Sequence, residues 1–283
     1  MVPQILPASV YPRAELSSFL NFAPLSYSNL DWISNHERLE GQFCYALIDE
    51  DQIKALISCE PENRSAAWLR FFLSQSDGKH AVYFHSLLER AIADLSAAGI
   101  PDLYALSFKN WQEELFANSG FSAFTRIITL TRPAGADLPA ELHPGLSIRQ
   151  ITAEDLPGIE AVDHAAFSAP WQLNTATLQA AFRACSYSTA AILDGKMVGY
   201  QMSAASFNTY HLARLAVLPQ TQQQGVGSSL ALDTIREANA RGSTEFSVNT
   251  QTDNASSLKL YARLGFQQEG RLIPVLVRAV EGE

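Results

Sequence analysis

Cysteine is scarce in this 283-residue chain: Cys44, Cys59 and Cys185 stand far apart, odd in number and without a CxxC pair. That spacing argues against a disulfide framework or a structural zinc site and leaves three small buried hydrophobes. Histidine is sparse too, six in all with no HxxxH, and His80 and His85, five apart, do not share a helix face. No metal is expected. Lysines and arginines nowhere run together and the formal charge is −9, so binding to nucleic acid or anionic lipid by counterion release has no footprint. No stretch reaches the roughly 18 apolar residues of a membrane span. The N-terminal MVPQILPASVYPRAELSSF has no basic region followed by a long apolar core. The expectation is a cytoplasmic protein, a monomer or a homodimer.

What is present is a chain 47% hydrophobic and 17% charged, enough for one large domain or two of ordinary size. Pro133 to Gly145, PAGADLPAELHPG, lacks apolar periodicity and reads as a linker. The predicted division is therefore 1–132, a linker at 133–145, and 146–283. After the linker the pattern gives a strand at Leu146–Ile151, a helix capped by Thr152 with Glu154 and Asp155 in its first turn, and a helix around Thr175–Ala184. Two strands joined by Asp194-Gly195 follow, then strand YHLARLAVL, a glycine loop with its helix, strand EFSVNT, helix ASSLKLYARLGF and strand RLIPVLVRAV. A mixed α/β sheet is implied.

The first half repeats this order. QFCYALIDEDQIKALISC reads as a hairpin, AAWLRFFLSQ as a strand, and AVYFHSLLERAIADLSAAG as a helix with Phe84, Leu88, Ile92 and Leu95 on one face; strands DLYALSF and FTRIITLTR follow. Phe116-Ala117-Asn118-Ser119-Gly120-Phe121 matches Tyr261-Ala262-Arg263-Leu264-Gly265-Phe266 in its aromatic, glycine and phenylalanine positions. Such a pattern is also a common helix stop. The matching order of flanking elements favours an internal duplication. The first copy has SQSDGKHAV where the second has its glycine loop, and Phe116 in place of Tyr261.

The loop carries the chemistry. Leu215–Leu230, LAVLPQTQQQGVGSSL, puts two glycines between a buried strand and a helix. A helix start holds unpartnered N–H groups and the positive end of the macrodipole, so the N–H groups of Gln223 to Gly227 suit a pyrophosphate. Neither a Walker loop nor a dinucleotide fingerprint is present, since GxxxxGK[ST] and a third glycine are missing. A purely structural turn is the alternative.

Gln222-Gln223-Gln224-Gly225-Val226-Gly227 fits the [RQ]xxGx[GA] pattern of the GNAT superfamily of acyl-CoA-dependent N-acyltransferases, and Asn254-Ala255-Ser256-Ser257-Leu258-Lys259-Leu260-Tyr261 with Gly265-Phe266 fits its second signature. Together the two make Leu146 to about Val280 resemble that family. The whole resembles a tandem GNAT protein, an arrangement also seen in mycothiol synthases, with a degenerate first copy. Phe167-Ser168-Ala169-Pro170-Trp171 is similar to ribosomal-protein N-terminal acetyltransferases, although Asn249 stands where those enzymes carry a glutamate.

The resemblance implies acetyl-CoA as donor and an amine as acceptor. It places the donor's pantetheine arm as an extra strand along Leu215 to Val217, in a gap between that strand and EFSVNT, with the Val217 N–H on the thioester oxygen. Gln222, Gln223, Gln224, Gly225, Val226, Gly227 and Ser228 would hold the phosphates, and Asn254 the arm or the helix start. Tyr261 would protonate the departing thiolate, unless it is only a packed core tyrosine. His211 is the candidate base, with an ordinary pKa of about 6.5; Tyr210, Asn249 and bulk water are the substitutes. Segments 167–175 and 203–209, with Trp171, Phe207, Tyr210 and Asp163, would form the acceptor wall. Three readings stay open: an N-acetyltransferase, a non-catalytic acyl-CoA sensor, and a first half that serves as a structural or partner-binding module.

Overall fold

The computed structural model describes residues 3–29, 31–135, 143 and 145–280. Most of the expected linker lies outside these residues. The chain forms two compact units, one of residues 1–124 with 274–283 and the other of residues 125–273.

The first unit contains β1 (Gln4–Pro7), α1 (Arg13–Phe22), β2 (Leu25–Ser28), α2 (Asn35–Arg38), β3 (Cys44–Asp49), β4 (Gln52–Asn63), β5 (Ala66–Ser74), α3 (His80–Ala97), β6 (Asp102–Leu106), α4 (Asn110–Ala117) and the start of β7 (Ser122–Pro133). The second holds the rest of β7, then β8 (Leu146–Gln150), α5 (Leu156–Ala166), α6 (Thr175–Ala184), β9 (Tyr187–Leu193), β10 (Lys196–Ser206), β11 (Thr209–Val217), α7 (Val226–Ala240), β12 (Glu245–Gln251), α8 (Ala255–Arg263) and the first part of β13 (Gln267–Ala279).

The repeated order is therefore real. Hairpin, strand, helix, strand, helix, strand runs from β3 to β7 and again from β9 to β13. Both hairpins turn on two residues of positive φ, Glu50-Asp51 and Asp194-Gly195, as the twist of paired strands requires. Both short helices stop alike: Phe121 N–H bonds the Phe116 carbonyl at 3.1 Å and Phe266 N–H the Tyr261 carbonyl at 3.0 Å, with Gly120 and Gly265 at φ 82° between them. Every residue of β5 is buried, which explains why AAWLRFFLS alternates so little. Phe84, Leu88, Ile92 and Leu95 of α3 point into the first core, as their spacing predicts.

The units differ from the predicted domains in two segments. Residues 127–133 of β7 pair antiparallel with β12 of the second unit, Ile128 opposite Thr250 and Leu130 opposite Val248. Val275–Ala279 of β13 pair with β6 of the first, Val275 opposite Leu106. Each unit thus takes its closing strand from the far half of the chain, because hydrogen bonding, not chain order, sets which strand lies beside which. In the second unit the order runs β7-β12-β11-β10-β9-β8, with α5 against β10 and β11. Helix α7 packs on β10 and β11 as well, and its Ala231, Leu232, Ile235 and Ala238 join Tyr210, Leu212, Phe246 and Val248 in one core.

Candidate functional site

Strands β11 and β12 run parallel and pair only from Thr209↔Glu245 to Leu212↔Val248. Beyond Leu212, β11 continues to Val217 paired with β10 alone, after a bulge that leaves Ala213 without an opposite residue. The direction of the backbone groups follows from the register. Leu218 N–H bonds the Val198 carbonyl at 2.9 Å, so by alternation Ala216 and Arg214 also turn their backbone toward β10. Leu215 and Val217 then present N–H and C=O to the side that β12 has left. This edge, free of a neighbouring strand, is where the resemblance implies a pantetheine arm paired as an extra strand.

The edge leads into the glycine loop. A 3₁₀ turn, Pro219–Thr221, is followed by exposed Gln222 to Gly225 and then by α7. Gly225 is the N-cap at φ 91°, ψ −6°, a left-handed conformation in which glycine alone is unstrained; Gln223 has φ 60°. The first helical bond is Ser229 N–H to the Gly225 carbonyl, 2.9 Å. The N–H groups of Val226, Gly227 and Ser228 precede it and have no intrahelical acceptor. A Cβ at Gly225 would meet only His143 Cβ and Cδ2, 3.8 Å away, and one at Gly227 would meet Leu260 and Val217 at 3.6 Å. Gln222 Nε2 donates to the Val217 carbonyl at 3.0 Å and Gln224 Nε2 to the Gln220 carbonyl at 3.0 Å, so these side chains brace the loop. His143, outside every motif, also abuts it: its N–H donates to Ser229 Oγ at 3.0 Å. Asn254 Oδ1 accepts from Ser257 N–H at 3.1 Å and caps α8.

The sheet separates the two candidate catalytic side chains. Tyr261 packs with Leu212, Phe246 and Val248 on the face covered by α7 and α8, its ring 5.5 Å from that of Phe266. It is 4% exposed, and burial raises its pKa well above the usual phenol value, so it carries its proton at neutral pH. His211 lies on the opposite face, opposite Ala204 and Ser247, with Nδ1 2.9 Å from Ser247 Oγ. Burial lowers its pKa, so the neutral imidazole prevails at pH 7.

Around the parting of β11 and β12 the expected acceptor wall is redrawn. Tyr210 is fully buried on the α7 face, stacked 5.9 Å from Phe246, with burial pushing its pKa up to about 12; it is excluded as a substitute base or a wall residue. Asp163 is also fully buried. It accepts from Tyr200, from Arg214 Nε and Nη2 at 2.8 and 2.6 Å, and from Leu173 N–H at 3.0 Å. No acceptor amine can reach it. Arg214, which no motif marks, also donates to the Trp171 carbonyl at 2.6 Å and covers the Phe167 ring at 3.8 Å. It thereby ties the 167–173 loop to the strand that borders the opening. Asn249 is exposed, its Oδ1 accepting from Thr129 Oγ1 of β7 at 2.9 Å, and Phe207 stands fully exposed at the tip between β10 and β11. Among the described residues no cluster of metal-ligating side chains occurs and no helix is long and apolar enough to cross a membrane.

Residues 149–266 match the family model described as acetyltransferase (GNAT) family. The chain is 26% identical over 122 residues to an Escherichia coli protein named [ribosomal protein bS18]-alanine N-acetyltransferase, covering 43% of this chain and 81% of that one. It is 30% identical over 148 residues to a mycothiol acetyltransferase of Saccharopolyspora erythraea, 48% of each chain. A crystallised tandem GNAT protein from the clavulanic acid biosynthesis pathway superimposes with a TM-score of 0.59 at 13% identity, over 95% of this chain and 88% of that one, which bears on fold alone.

Proposed function

We propose that this acyltransferase, whose residues 149–266 match the acetyltransferase (GNAT) family, moves an acetyl group from acetyl-CoA to a primary amine of a small molecule or peptide by direct attack, using the second unit. The observation that carries the reading is the bare edge of β11 beyond Leu212, which ends in the Gly225 loop. An extended pantetheine arm pairs with the backbone of Leu215 and Val217 as a strand would. Its pyrophosphate lies on the N–H groups that open α7, a site that needs no lysine.

Each group then has a task. The Val217 N–H, turned to the opening, polarises the thioester carbonyl. The amine attacks the carbonyl carbon, the C–S bond breaks, and the departing thiolate takes the proton of Tyr261. The ammonium gives its first proton to neutral His211, directly or through one water, from the other face of the sheet, and the second, shed by the nitrogen as the amide forms, passes to the Tyr261 phenolate. Arg214 and Asp163 hold the 167–173 loop that meets the acceptor. Free thiol released from acetyl-CoA, followed against a panel of amines, amino acids and short peptides, tests the proposal. Acceptor-dependent release is expected. Donor binding with no release toward any member would overturn it in favour of a non-catalytic acyl-CoA sensor.

A further inference from the structure

The first unit repeats the parting of strands. Parallel β5 and β6 pair only at Ala67↔Leu103 and Trp68↔Tyr104, as β11 and β12 pair only up to Leu212↔Val248. In the second unit the edge beyond that point is bare. In the first it is taken: β2 runs antiparallel along β5, from Leu25↔Ser74 to Ser28↔Phe71, and Asn29 N–H extends the pairing to the Arg70 carbonyl at 2.7 Å. Tyr27, 1% exposed, sits at the fork. Its hydroxyl donates to the Leu69 carbonyl of β5 at 3.3 Å and accepts from Leu106 N–H of β6 at 3.2 Å, bridging the parted strands. Its ring meets that of Phe116, the counterpart of Tyr261, edge-on at 5.4 Å.

A carboxylate also stands ahead of the following helix. Where the second unit has Gly225 at the N-cap of α7, the first has Lys79 at the N-cap of α3, with Asp77 two residues before it. One carboxylate oxygen accepts from Lys79 N–H at 3.0 Å and the other from Tyr83 Oη at 2.7 Å. Its negative charge lies at the positive end of α3, where it would repel a phosphate.

We infer that the first unit is an acyl-CoA site filled from within, with Leu25–Ser28 in place of the pantetheine arm. This rests on the donor pose proposed for the second unit. It makes the first copy a unit whose slot contributes to its own stability, and it sets one donor per chain. A strand that closes a slot by main-chain pairing contributes through every bond of its ladder, and Tyr27 adds two more across the fork.

Two measurements on the full chain separate this inference from the proposal it rests on. Calorimetric titration with acetyl-CoA is expected to give one site per chain, and none after Gly225→Asp; a second site, or a site that survives Gly225→Asp, overturns the filled slot. Hydrogen exchange over residues 25–29 and 71–74 decides it even if the second unit binds no donor. Those amides are expected to exchange at least about a hundred-fold more slowly than exposed loop amides, with no change on adding saturating acetyl-CoA to the Gly225→Asp variant. Exchange at loop rates, or a response to the donor in that variant, overturns the inference.

Discussion

The two units contain the same run of hairpin, strand, helix, strand, helix and strand, and both let the central parallel pair come apart after a few residues. They differ in what lies beside the parted strand. In the second unit Leu215 and Val217 turn backbone with no strand beside it to the opening, and Gly225 leads into α7; in the first, β2 pairs with the corresponding strand and the Asp77 carboxylate stands ahead of α3. A splayed pair of strands leaves main-chain donors and acceptors that must be matched by something. A fold that meets this need with its own chain is a self-contained body, and one that leaves it to solvent is a binding site.

The largest effect that tests this contrast is expected at the loop. Gly225→Asp forces a side chain onto φ 91° and sets a carboxylate against the pyrophosphate, so acetyl-CoA affinity should fall by about a hundred-fold or more. The matching change in the first unit, Gly78→Asp, occupies open space at φ 77° and should leave donor affinity unaltered in the same calorimetric series. Equal losses from the two variants would break the contrast.

Tyr261→Phe comes next. It keeps the ring that packs on Phe266 and removes the proton, so turnover should drop by roughly ten-fold or more with donor affinity within about two-fold. The converse change, Phe116→Tyr, should leave the rate untouched. A Tyr261→Phe enzyme with full turnover toward a good acceptor would reduce Tyr261 to packing.

A smaller effect is expected in the pH profile. Burial depresses the pKa of His211 below the ordinary imidazole value, so kcat/KM should climb through a pKa below about 6.5 and level above it. The same depression costs stability in acid. The unfolded chain binds the proton more readily, so the contribution of neutral His211 is complete above the unfolded pKa and is lost as pH falls toward the folded one. In His211→Ala both the acid limb of the rate and that share of the acid sensitivity of melting should flatten; a limb of wild-type shape would assign the proton to water.

The smallest change concerns the filled slot. Tyr27→Phe deletes the bridge from Leu69 to Leu106 while keeping the ring, and should cost about 1–3 kcal/mol because it leaves the Leu106 N–H without its acceptor. Thermal melting reads this cost, and the donor stoichiometry should stay at one per chain.

Much of both units was legible in the sequence. The loop, the Asn254 cap, the Asp194-Gly195 turn and the faces of α3 each depend on residues close in the chain, where φ preferences, capping and a 3.6-residue period act. Tyr210 and Asp163 were misread as acceptor-facing. The bulge at Ala213 shifts the register of β11 against β10, and the partner that buries Asp163, Arg214, lies 51 residues away.

Which backbone edge is bare, which is filled and where each unit ends were decided by tertiary structure alone. LSYS at Leu25–Ser28 carries no signal that it will lie along β5, and nothing in FTRIITLTR says that it will pair with β12 rather than with its own half. The period of two along a strand tells which side chains share a face, but the main-chain groups that choose the neighbouring strand are alike in every residue except proline. Local chemistry therefore wrote the anion-binding turn into the sequence, and the pairing of distant strands determined which of two similar slots was left open.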